Sequence, residues 1–107
     1  DLYRDFTYID DIVNGIINCI DFNKEKYSIL NLGNNKPVKL LNFIRIIEKL
    51  TKKKFLKKYV KMQPGDVYKT SADISKSYND LNFEPKTSIN KGLKNFIKWY
   101  NEYYNVK

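Results

Sequence analysis

The stretch Arg4-Asp5-Phe6-Thr7-Tyr8-Ile9-Asp10-Asp11-Ile12-Val13 changes its hydrophobic period half-way along. Phe6 to Ile9 is aromatic and β-branched, the composition of a strand. Beyond Asp10-Asp11 the apolar residues Ile12, Val13, Ile16, Ile17 and Ile20 recur at helical spacing, and either aspartate could cap that helix. A strand feeding directly into a helix predicts an α/β layer fold. Gly15 inside the helix costs about 1 kcal/mol relative to Ala, which predicts close packing at that position.

Working outward, Tyr27–Leu32 reads as a short buried strand ended by the turn Gly33-Asn34-Asn35. Pro37 precedes a second helix with the stripe Leu40, Phe43, Ile44, Ile47 and Leu50. Phe55–Val60, set among lysines from Lys52 to Lys61, reads as an edge strand, because charge on an edge discourages aggregation. Met62-Gln63-Pro64-Gly65-Asp66 is the strongest irregular loop. An extended stretch, Tyr68–Ala72, leads to Asp73, an N-cap for the helix Ile74–Leu81. After the linker Glu84–Thr87, Ser88 caps a last helix whose Ile89, Leu93, Phe96, Ile97, Tyr100 and Tyr104 share one face. The expected order is β-α-β-α-β-(β)-α-α, a small sheet flanked by helices, in one domain over residues 1–107.

Composition narrows the function classes. The chain has 107 residues, 20 Lys and Arg against 12 Asp and Glu, and a net charge of +8. His is absent and Cys19 stands alone, so a disulfide framework, a zinc finger and a Cys–His nucleophile within this chain are excluded. No metal site is expected. Arg4 and Arg45 are the only arginines, and Lys is the ordinary solvated cation rather than a bidentate reader. The surplus charge therefore reads mainly as a wet surface. The competing reading is a nucleic-acid module using Lys52–Lys61, with Phe55 and Tyr59 as stacking residues. No apolar run reaches the ~18–20 residues of a membrane span, and no signal peptide opens the chain. The sequence starts at Asp1, and its one Met is Met62, so it is expected to be a piece of something longer.

Few residues carry chemistry. The glycines at 15, 33, 65 and 92 are scattered, giving neither a dinucleotide fingerprint nor a phosphate loop. Tyr103 and Lys107 match a catalytic Tyr-x-x-x-Lys spacing by accident, at a fraying terminus and with no cofactor motif before them. Adjacent on a helix, Asp10 and Asp11 diverge by about 100°, which favours capping over paired acid–base work. Two sites remain. Arg4 beside a strand suits a phosphate clamp, or else a salt bridge to Asp5, Asp10 or Asp11. In Gln63-Pro64-Gly65-Asp66, the turn fixes a carboxylate suited to a vicinal diol, or else one that bonds its own backbone.

These same residues carry a family resemblance. Arg4–Val13 resembles the R-D-F-T-Y-V-D-D-I-V segment of the NAD-dependent nucleotide-sugar epimerases and dehydratases, which are extended short-chain dehydrogenase/reductases. YSILNLG (Tyr27–Gly33), MQPGDV (Met62–Val67), TSADISK (Thr70–Lys76), FEPK (Phe83–Lys86) and the Ser88–Tyr104 helix follow in the family's order. The M-Q-P-G-D-V form resembles that of the UDP-glucuronate 4-epimerases. The resemblance implies a C-terminal nucleotide-sugar-binding part, with the NAD-binding Rossmann domain and the catalytic Tyr-x-x-x-Lys lying outside this chain. It implies that Arg4 contacts the UDP diphosphate and Asp66 the ribose hydroxyls. Gln63 stands where galactose-type epimerases place a second phosphate-binding Arg. Lys52 stands where the family usually has Gly, a departure confined to that turn. The implied enzyme is a cytoplasmic C4 epimerase working through an NAD-dependent 4-keto intermediate. This piece alone is expected to bind no NAD, to have no catalytic residue, and to self-associate through uncovered apolar surface. A non-catalytic interaction domain derived from such an enzyme is the alternative.

Overall fold

The computed structural model describes residues 2–106, so Lys107, half of the accidental Tyr-x-x-x-Lys spacing, lies outside the described residues, as does Asp1. Six elements follow one another: β1 (Tyr3–Arg4), α1 (Ile9–Ile20), β2 (Val38–Lys39), α2 (Leu40–Thr51), α3 (Ser75–Leu81) and α4 (Ile89–Tyr103). β1 belongs to a two-stranded sheet and carries one isolated bridge on its other edge. On one side it runs antiparallel to β2, with Tyr3 opposite Lys39 and Arg4 opposite Val38. On the other it takes a parallel bridge to Lys69, where Tyr3 N–H donates to the Tyr68 carbonyl and Thr70 N–H donates to the Tyr3 carbonyl. The extended character expected of Tyr68–Ala72 is therefore present.

The helices fall close to their expected bounds, and the strands do not. Phe6–Ile9 forms no ladder; the strand lies two residues earlier and Ile9 already opens α1. Phe6 serves packing instead, its ring stacked on Phe43 of α2 at 4.0 Å between centroids. Tyr27–Leu32 and Phe55–Val60 are irregular, although their composition is that of strands. A strand needs a neighbour to take its N–H and C=O groups. Among the described residues neither segment has one. Tyr27 and Ile29 are accordingly 79% and 71% exposed, and the buried Ser28 hydroxyl has no hydrogen-bond partner.

Caps follow a similar division. Ser88 Oγ accepts from Lys91 N–H at 3.3 Å and opens α4 as expected. Asp73 accepts from both Ser75 N–H and Ser75 Oγ, and these bonds hold its carboxyl below the usual range. Neither Asp10 nor Asp11 caps α1. Asp11 is buried and accepts from Lys86 N–H and Thr87 N–H, 3.2 and 3.0 Å away, so it tethers the linker before α4 instead.

α1 presents its polar and small side to the rest of the chain. Asp11 and Gly15 are its buried residues, and Asn18 donates to the Leu81 carbonyl. A Cβ on Gly15 would come within 2.8 Å of both Leu32 and Phe83, so the close packing expected there is real. Of the expected core stripe, Val13, Ile16, Ile17 and Ile20 face outward at 43–77% exposure and Ile12 is half-buried, while Ile9, expected in a strand, is exposed as well. Among the described residues the buried apolar core consists of Leu81, Phe83 and Leu93. The face expected of α4 is covered at Leu93 and half-covered at Ile89 and Ile97, while Phe96, Tyr100 and Tyr104 remain exposed.

Candidate functional site

The loop Gln63–Asp66 is a turn closed by Asp66 N–H donating to the Gln63 carbonyl at 3.2 Å. Pro64 supplies the fixed φ of its second position, and Gly65, at φ 91°, supplies the left-handed third. Nothing lies within 4 Å of where a Gly65 Cβ would be, so backbone conformation alone demands glycine there. The turn swings Asp66 back over β1. Arg4 meets it there: Nη2 lies 3.9 Å from Asp66 Oδ1, while Nη1 donates to the carbonyls of Tyr3 and Val67 at 2.8 and 2.9 Å. Two carbonyls thus fix the guanidinium plane, and its outer edge is left beside a half-exposed carboxylate. Of the expected site residues, Arg4 and Asp66 are brought together. Gln63 gives its backbone carbonyl to the turn and keeps its side chain at the exposed rim.

Arg4 pairs with none of Asp5, Asp10 or Asp11. Asp5 is committed elsewhere, and sequence reasoning gave it no role of its own. Its carboxylate accepts from Ala72 N–H at 2.9 Å, Asn35 N–H at 3.0 Å and Lys36 N–H at 3.2 Å. Asp5 N–H in turn donates to Thr70 Oγ1. One carboxylate therefore ties the turn after Gly33 and the stretch after Asp66 to the strand that carries Arg4. Gly33 has to be glycine for this: its Cβ would stand 2.4 Å from that of Ala72 and 3.3 Å from Asp5 Oδ2.

The basic segment is organised by Glu48. This buried carboxylate takes Lys57 Nζ at 2.6 Å and Phe55 N–H at 2.9 Å, and these bonds, Lys57 first, hold its carboxyl below the usual range. Phe55 and Tyr59 stay 42% and 75% exposed, as a stacking role would need. Among the described residues no group of His, Cys, Asp or Glu could hold a metal ion. No described helix is long and apolar enough to cross a membrane.

No family model matches the chain. A search of curated proteins finds an uncharacterised protein of Methanocaldococcus jannaschii, 54% identical over 101 residues. It also finds a UDP-glucuronate 4-epimerase of Arabidopsis thaliana, 40% identical over 117 residues. These matches cover 92% and 97% of this chain, and 30% and 27% of the relatives. Among solved structures, the UDP-glucuronic acid 4-epimerase of Bacillus cereus, in complex with NAD, superposes with a TM-score of 0.82 at 28% identity. That superposition covers 98% of this chain and 32% of the enzyme. The chain belongs with the C-terminal part of the nucleotide-sugar epimerases. It spans about a third of their length.

In these epimerases NAD is held by the N-terminal Rossmann domain. The residues present here do not fit that cofactor. Gly15 and Gly92 lie inside helices, Gly33 is pressed on Ala72 and Gly65 sits in a surface turn. None of them opens a helix after a strand, as a pyrophosphate cradle requires.

Proposed function

We propose that this chain is the nucleotide-sugar-binding part of a UDP-sugar epimerase, with UDP-glucuronate as the sugar nucleotide. The observation that carries the reading is the meeting of Arg4 and Asp66 across 62 residues of sequence, with 3.9 Å between Nη2 and Oδ1. Arg4 offers paired donors to a diphosphate, and Asp66 offers paired acceptors to the two hydroxyls of a ribose. Their side-chain exposures of 27% and 46% leave both reachable from solvent. Gln63 at the rim of the same turn contacts the phosphates or the ribose. In the ligand-free chain the two charges neutralise each other, and a nucleotide replaces that weak pair with contacts of its own.

Hydride transfer at C4 of the sugar belongs to the NAD-binding part of such an enzyme, and this chain's part is to hold and orient the nucleotide. The reading places the chain in the cytoplasm, docked through α1 and Tyr27–Leu32 onto a Rossmann domain. By itself the chain neither turns over substrate nor holds NAD, and it self-associates through the same face. A non-catalytic interaction role draws on that uncovered face too, and differs in requiring no nucleotide affinity.

The test is calorimetric titration of UDP into this chain joined to the NAD-binding part of a relative. Arg4→Ala and Asp66→Ala should each weaken binding by about tenfold or more, the scale of losing a hydrogen bond to a charged group. Unchanged affinity in both variants would refute the site. Tight, steeply salt-dependent binding to oligonucleotides would favour the basic-module reading instead.

A further inference from the structure

Between the start of α4 and the turn after Gly33 lies an opening of about 310 Å³ that contains neither Arg4 nor Asp66. Val38, Pro85 and Ile89 give it apolar walls, and Lys36 and Lys86 stand at its rim. Neither lysine has a carboxylate partner among the described residues.

Two features of this opening point the same way. The first is the N-terminus of a 15-residue helix, whose opening amides have no acceptor within the helix. Lys91 N–H is taken by Ser88 Oγ and Gly92 N–H by the Ser88 carbonyl, which leaves Ile89 N–H and Asn90 N–H. The second is Asn34, which lines the opening while only 8% exposed. Its side-chain amide makes no hydrogen bond to any described residue. The only buried side-chain polar atom without a partner among the described residues is Ser28 Oγ, so the Asn34 amide keeps access to the opening and can pair with a group that enters it. Of the acidic groups on the adjoining segments, Asp5 is occupied by Asn35 N–H and Lys36 N–H and Asp11 by Lys86 N–H and Thr87 N–H, and neither they nor Glu84 of the linker line the space.

We propose that this opening binds a small organic anion, an apolar body with one carboxylate or phosphate head. The head accepts from the first amides of α4 and from the Asn34 amide, with Lys36 and Lys86 supplying charge. The body lies on Val38, Pro85 and Ile89. The inference is independent of the nucleotide reading, since the two sites share no named contact.

The experiment is amide-resolved NMR on the 107-residue chain, titrated separately with benzoate and phenyl phosphate to distinguish the two head groups. The expected result is a saturable shift at Ile89, Asn90 and the Asn34 side-chain NH₂ with at least one of them. Asn34→Asp should weaken that binding at least tenfold. The rim double variant Lys36→Gln/Lys86→Gln, at exposed positions, should weaken it several-fold without changing the ligand-free spectrum. Absence of a saturable shift with both probes overturns the proposal, as does full affinity in a folded Asn34→Asp variant. Should Asn34→Asp fail to fold, unchanged affinity in the double variant overturns it. UDP added to the same sample should move Arg4 and Asp66 rather than Ile89 and Asn90, so failure of either site is seen separately.

Discussion

At the scale of single residues, side chains accept conformations that only their surroundings justify. Lys52 ends α2 in the left-handed region at φ 56°, where a β-carbon costs about 1–2 kcal/mol. Glycine removes that cost and returns up to about 1 kcal/mol of it as extra freedom in the unfolded chain. Lys52→Gly should therefore stabilise the chain by about 0.5–1 kcal/mol in urea titration. Glu48 gives a pH prediction. Its folded pKa is below the ordinary 4.5, so its contribution is complete above that value and is lost as pH falls through the depressed one. Asp73 acts in the same direction from its ordinary 3.8. Melting temperatures of wild type and Glu48→Gln should differ at pH 7 and draw together as the pH is lowered below 4.5. Of the candidate site, the pairing partners Arg4 and Asp66 were singled out in the sequence because a rare arginine and a Pro-Gly turn are local signals. Asp5 was not, because its backbone partners lie 30, 31 and 67 residues away and leave no local mark.

At the scale of elements, two opposing terms meet at Gly15. Alanine there gains about 1 kcal/mol of helix propensity but puts a methyl 2.8 Å from Leu32 and Phe83. Phe83 is 2% exposed and cannot swing aside, and overpacking of this kind costs about 1–3 kcal/mol. Gly15→Ala should come out destabilising, by about 1 kcal/mol, in the same urea titration. The helices were legible because each writes its own period, and α4 adds its Ser88 cap, whereas the cap expected at Asp73 lies one residue before the true N-cap, Ile74. The strand pattern in Tyr27–Leu32 and Phe55–Val60 was equally clear, yet pairing depends on a second segment that composition cannot specify. Their irregular form and the outward stripe of α1 express one condition: apolar surface patterned for a neighbour that the described residues do not supply.

At the scale of the molecule, the radius of gyration is 16.7 Å, and a compact domain of this length has about 13 Å. Its extents of 50 × 36 × 19 Å leave little more than two layers of backbone in the thin direction. A core of Leu81, Phe83 and Leu93 beside outward isoleucines favours association, since large exposed apolar patches on small domains are costly. Sedimentation velocity should show concentration-dependent oligomers, and Ile16→Lys/Ile20→Lys should return the chain to monomer while circular dichroism keeps its helix signal. A wild-type monomer at high concentration would count against this.

The stitches between the two ends of the chain set a clock on its synthesis. Asp11 finds its partners 75 and 76 residues downstream, and Tyr8 receives Asn95 across 87. At about 5–20 residues per second, a ribosome takes roughly 4–15 s to make the segment between Asp11 and Thr87. For that interval the Asp11 carboxylate waits without the two amides it accepts from. The tether between α1 and the linker before α4 is therefore among the last parts of the nascent chain to take shape, and a pause in translation near Pro85 would prolong the time in which the Asp11 side of α1 stands open.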